Sequence, residues 1–112
     1  MSEITSELKK ELLKMVLAKG KISIADNQLR RYISIATQCD CVEEFDNFMH
    51  YQIGRENGKE KKEDLIVMLE DVKKINKIIN DEKTALKAIG YYFGYMTREQ
   101  KYLASEENGG RK

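Results

Sequence analysis

Apolar residues recur at helical spacing in five successive runs along this chain, separated by glycine, asparagine or acidic residues. The first run puts Ile4, Leu8, Leu12 and Met15 on one face and predicts a helix from about Ser2 to Lys19, with Gly20 as its stop. Gly20-Lys21-Ile22-Ser23-Ile24 alternates like a strand, but a lone strand has no partner, so the segment reads as a connection. Asp26 suits the N-cap of a second helix, with Leu29, Ile33 and Ala36 inward and Arg30, Arg31 and Ser34 toward water. Asp40-Cys41-Val42-Glu43 has the spacing of an acidic cap with Glu three residues on. It predicts a third helix with Val42, Phe45, Met49 and Ile53 on one side, ended by Asn57-Gly58. The fourth, about Lys59 to Asn80, carries the clearest stripe: Leu65, Met68, Leu69, Val72, Ile75 and Ile79. The fifth starts after Asn80 or Asp81, runs to about Ser105 and buries Leu86, Ile89, Phe93 and Met96.

Short turns between five such helices predict an all-α fold, a five-helix bundle forming a single domain over residues 1–106, followed by a flexible tail at 107–112. Composition agrees. The 112 residues include no proline and 35% are charged, as expected of helices with wet outer faces. A chain this short fills one core and has little left to enclose a deep active site, so binding through a surface is expected ahead of chemistry.

Twenty Lys and Arg against nineteen Asp and Glu leave a net charge of +1, so any polyanion must be met by a local patch. The N-terminus lacks the regions of a signal peptide, and no apolar run approaches the roughly 20 residues of a membrane span, so a soluble, cytoplasmic protein without membrane contact is expected. Cys39 and Cys41 then read as free thiols. With His50 they offer too few ligands, at the wrong spacing, for structural zinc, and no metal or other cofactor is expected. No phosphate loop, dinucleotide fingerprint or nucleophile elbow is present, and no catalytic residue is assigned.

The cations carry more information. Arg30 and Arg31 sit side by side in the second helix, Arg55 follows Gly54, and Arg98 falls with Lys101 on the last helix. The planar guanidinium suits phosphate oxygens better than a lysine point charge. A glycine inside a helix costs about 1 kcal/mol relative to alanine, so Gly54 marks a place where another backbone or a ligand comes close. Tyr91, Tyr95, Arg98 and Tyr102 follow steps of four, three and four residues and line one stripe beside Ile89, Phe93 and Met96. Such a stripe serves either as a single-strand binding face or as a tyrosine seam half buried against another helix.

Gln28-Leu29-Arg30 opening the second helix and Tyr51-Gln52-Ile53-Gly54-Arg55-Glu56 closing the third, followed by a long amphipathic helix and a Tyr-rich last helix, resemble the small subunit of the type III-A (Csm) CRISPR interference complex over roughly residues 22 to 104. Ala25-Asp26-Asn27 and the Phe93–Arg98 stretch depart from that pattern, so the equivalent helical small subunit of a type I complex is the variant reading. The resemblance implies an all-helical, non-catalytic protein that holds the backbone of guide RNA and of target RNA or DNA without reading sequence. It also implies other effector subunits as partners and copies of the chain stacked head to tail. Matching positions assign phosphate contacts to Arg30 and Arg55; the residues alone add Arg31, Arg98 and Lys101. The competing expectation is a helical protein–protein adaptor, favoured by the near-zero net charge and by the acidic cluster Asp40, Glu43, Glu44 and Asp46.

Overall fold

Thr5 sets the start of the first helix. In the computed structural model, which describes residues 4–109 and side chains as far as 106, its hydroxyl accepts the Leu8 amide at 3.2 Å, satisfying one of the donors that every helix start leaves open. Helix α1 (Ser6–Lys19) thus begins inside the expected span, and Ser2 lies outside the described residues. It stops where expected: Gly20 takes a φ of 63°, a left-handed backbone that side chains disfavour.

The connection after Gly20 is no strand. Side chains from far along the chain clamp it: Gln100 donates to the Gly20 carbonyl at 2.7 Å and accepts the Ile22 amide at 3.0 Å. One carboxylate oxygen of Asp64 takes both the amide and the hydroxyl of Ser23 at 2.8 Å. With those polar groups satisfied, Ile24 can bury its side chain.

Helix α2 (Asp26–Gln38) follows, but Asp26 is its first residue and not its cap. Ala25 holds the cap position without a side-chain bond, while Asp26 pairs with Arg30 one turn on at 3.1 Å. The acidic box expected at Asp40 and Glu43 is also replaced. Cys41 is the cap residue of α3 (Val42–Arg55), Glu44 accepts the Asp40 amide at 2.7 Å, and Glu82 accepts the Val42 amide at 3.0 Å. Glu82 arrives from the fifth helix, so no local pattern announces it. Helix α4 (Lys59–Ile78) buries Leu65, Met68, Leu69, Val72 and Ile75 of the expected stripe, while Ile79 falls half buried at its C-cap, short of the expected end at Asn80, and α5 (Glu82–Gly109) runs past Ser105. Asp81 caps it, accepting the amide and hydroxyl of Thr84 at 2.9 and 2.7 Å. Of the expected tail, 110–112 lie outside the described residues.

No strand occurs among the described residues, and no helix is long and apolar enough to cross a membrane. Helix α5 is the axis, packing against each of the other four. Its buried surface is wider than the expected stripe, because Ala85, Ala88 and Tyr92 join Leu86, Ile89, Phe93 and Met96. A helix apolar around most of its circumference belongs inside a bundle. The rings of Tyr32, Phe45, Tyr92 and Phe93 form the middle of the core, with Phe93 5.4 Å from Tyr32, 5.9 Å from Phe45 and 5.0 Å from Tyr92.

One charge interrupts this apolar interior. Asp71, 2% exposed, lies within the buried stripe of α4, where its carboxylate accepts the Tyr92 hydroxyl at 2.6 Å and meets the Lys19 ammonium at 3.0 Å. Three helices are joined there. Burial and the neighbouring carboxylate push the Tyr92 phenol well above its ordinary range. Removing one partner of such a group leaves another unpaired in the interior, the costly case for buried charge. Asp71→Ala is expected to lose about 3 kcal/mol in urea denaturation, whereas Tyr92→Phe, which leaves the ion pair intact, loses about 1 kcal/mol. Equal losses would mean that the ammonium is not held by the carboxylate.

Candidate nucleic-acid interface

Tyr32 stacks edge to face with Phe48 at 5.7 Å and with Phe93 at 5.4 Å, so side chains of α2 and α3 meet over α5. Two arginines ride on that junction. The Arg31 guanidinium lies 6.0 Å from the Phe48 ring centroid, and the Arg55 guanidinium lies 5.6 Å from that of Tyr51. Phe48, Tyr51 and Arg55 are spaced by three and four residues and share a face of α3. The Tyr32 phenol is raised by burial, opposed by the charge of Arg31 and, from α3, by that of Arg55, with Glu56 adding to the rise.

A groove of about 400 Å³ continues from this shoulder between the two helices, lined by Ile35, Gln38, Cys39, Glu44, Phe48 and Tyr51. Tyr51 is 63% exposed, far more than a tyrosine anchored in a core. Gly54 is exposed beside it, and a Cβ there would meet nothing within 4 Å. Among the described residues no other backbone comes near a Cβ at Gly54, so the close approach expected there is not made within this chain. An arginine laid on an aromatic ring keeps its outer N–H edge free while the ring fixes its plane, a geometry suited to phosphate.

The five cations singled out from the sequence do not form one patch. Arg31 and Arg55 each lie over a ring of α3, Phe48 and Tyr51 respectively. Arg30, about 100° around α2 from Arg31, is exposed and paired with Asp26, on the flank it shares with Ile33. Arg98 lies on α5 against α1, in a cleft with Lys9, Tyr91 and Tyr95, and Lys101 is exposed one turn beyond it. The tyrosine stripe is half buried at Tyr91 and Tyr95 and open at Tyr102, which is 57% exposed.

No protein-family model, curated protein or solved structure matches this chain. Phe48 was not singled out from the sequence as a site residue; its spacing to Tyr51 and Arg55 is the signal that could have found it. Lys9, over the Tyr91 ring at 5.6 Å, had no signal short of the packing of α1 on α5.

Cys39, Cys41 and His50 are not gathered into one centre. Cys41, Glu43 and Glu82 each place one ligand atom within 4.8 Å of the others, but Glu82 is already engaged in capping α3. The acidic cluster belongs to the start of α3, the end opposite Arg55. There Asp46 is raised by burial, with Lys73 and His50 opposing, and one of its oxygens is buried without a hydrogen-bond partner. Cys39, half buried in the groove, is pushed up from 9.0 to about 11 by burial and then by Glu44, Cys41 and Asp40. The folded state thus keeps a proton that the unfolded chain gives up, and stability falls as pH rises between these values. Urea midpoints across that window should fall less steeply in Cys39→Ala than in the parent chain; identical slopes would place the thiol in ordinary solvent.

Proposed function

We propose that this chain is a non-catalytic, helical nucleic-acid-binding small subunit of a CRISPR RNA-guided effector complex. In this reading it holds the sugar-phosphate backbone of guide RNA and of its target without reading sequence. The observation that carries the binding is the shoulder where Arg31 lies on Phe48 and Arg55 on Tyr51. The placement in an effector complex is supported by the resemblance of Gln28-Leu29-Arg30 and Tyr51–Glu56 to that family. These two segments open α2 and close α3 beside the shoulder.

The physics of backbone binding fits a chain of balanced charge. Contacts to phosphate carry no base information and release counterions, so affinity should be blind to sequence and steeply dependent on salt. Two arginines give one copy a weak grip. Several copies side by side along a strand sum their contacts by effective concentration, and an array of that kind joins two unlike surfaces head to tail. Tyr51 and Phe48 orient the guanidinium groups and offer faces on which an unstacked base can lie.

The test is a filter-binding titration of the purified chain with single-stranded RNAs of unrelated sequence over a range of salt. Arg31→Gln/Arg55→Gln should lower the slope of log K against log salt by about 1.4, two single-strand phosphate contacts. Arg30→Gln, already paired with Asp26, should have less effect than either. Far-ultraviolet circular dichroism should be unchanged in both variants, since none of the three side chains is buried. Absence of RNA binding in the parent chain at low salt would overturn this reading and favour the protein-binding adaptor.

A further inference from the structure

The flank of α2 turned away from the shoulder borders a second cleft, of about 340 Å³, between α1 and α5. Its floor is Gly90 and Gly94, one turn apart inside α5. Glycine is the poorest helix former after proline, and neither position needs it for the fold. Gly20 is the one described glycine with a positive φ, a Cβ on Gly90 would meet nothing within 4 Å, and a Cβ on Gly94 would touch only the Ile33 Cδ1 at an ordinary 4.0 Å. Alanine would fit both. What the two glycines supply is open space.

The walls and rim say what that space suits. Tyr91 and Tyr95 meet edge to face at 6.1 Å and are each half buried, so their rings are held in place. Lys9 covers the face of Tyr91, and Arg98 stands exposed at the rim. No carboxylate lines the cleft, and no described carboxylate lies within ion-pair distance of either cation. The volume is at the small end of ligand sites, which run from about 300 to 1,000 Å³. It admits one planar, anionic unit and excludes a duplex.

We propose that the cleft between α1 and α5 binds a single nucleotide, its phosphate between Lys9 and Arg98 and its base against Tyr95. The nucleotide is either free or an unstacked residue of a longer strand; the recognising chemistry is the same. This site is separate from the Arg31–Arg55 shoulder and does not depend on it.

The test is a titration of the ¹⁵N-labelled chain with AMP, with a ten-residue oligoadenylate and with inorganic phosphate, following the amides of Gly90 and Gly94. AMP should move both amides saturably, and phosphate at equal concentration should not. Arg98→Gln and Tyr95→Ala should each weaken AMP by about tenfold, the scale of one stacking or charge contact. Gly90→Ala/Gly94→Ala should raise the thermal midpoint while weakening AMP, a combination that a purely structural role for the glycines does not produce. Oligoadenylate moving the same amides identifies a strand residue as the ligand, and movement with AMP alone identifies a free nucleotide; both support the site. Three outcomes overturn it: amides stationary with all three ligands, phosphate alone reproducing the AMP shifts, or alanine variants that lose thermal stability and keep AMP. In Arg31→Glu/Arg55→Glu the AMP shifts should persist, so failure at the shoulder is distinguishable from failure at the cleft.

Discussion

The junction of Tyr32 with Phe48 and Phe93 is the constraint on which the proposed binding surface depends. Tyr32 is almost wholly buried and faces one ring from α3 and one from α5. Edge-to-face pairs of this kind contribute about 0.5–1.5 kcal/mol each beyond their burial. Their larger effect is geometric. With the ring wedged between two others, α2 cannot roll on α5 without opening the core, and the position of Arg31, the next residue back, is fixed relative to α3. Arg55 stands two turns beyond Phe48 on the same face of α3.

Charge is distributed to match. The chain is nearly neutral, yet its acids and bases are segregated along α3, with Glu43, Glu44 and Asp46 at the start and Arg55 at the end. This order also suits the helix dipole, which favours anions at the N-terminus and cations at the C-terminus. Local helix stability and a cationic shoulder thus come from the same arrangement. The aromatic supports add a second economy, because a guanidinium resting on a ring loses less hydration than one buried beside a carboxylate. The interior charge, Asp71, is engaged elsewhere, with Lys19 and Tyr92, where it ties α1, α4 and α5 together.

Much of the fold was legible because core positions repeat at helical spacing. Leu65, Met68, Leu69, Val72 and Ile75 are all buried, as are Leu86, Ile89, Phe93 and Met96. Caps were legible only when local. Gly20 acts as expected and Asp81 is the one of two expected starts that caps α5, whereas the cap of α3 comes from Glu82, forty positions along the chain from Val42. Asp71 hid in the same way: its spacing puts it on the buried stripe, but only the approach of Lys19 and Tyr92 makes a buried carboxylate tolerable. Arg30 and Arg31 show the limit most clearly. Adjacent residues lie about 100° apart on a helix, and which of the two reaches α3 depends on the roll of α2, which Tyr32 sets through contacts that no periodicity contains.

The account stands on a strand lying across the α2–α3 shoulder. Photocrosslinking of 4-thiouridine RNA to the native chain, followed by trypsin and mass spectrometry, tests this most directly, because cleavage after Arg31 and Arg55 releases residues 32–55 as one peptide. The account predicts crosslinks in that peptide at Phe48 or Tyr51. Crosslinks found only elsewhere in the chain, with this peptide recovered unmodified, would contradict it.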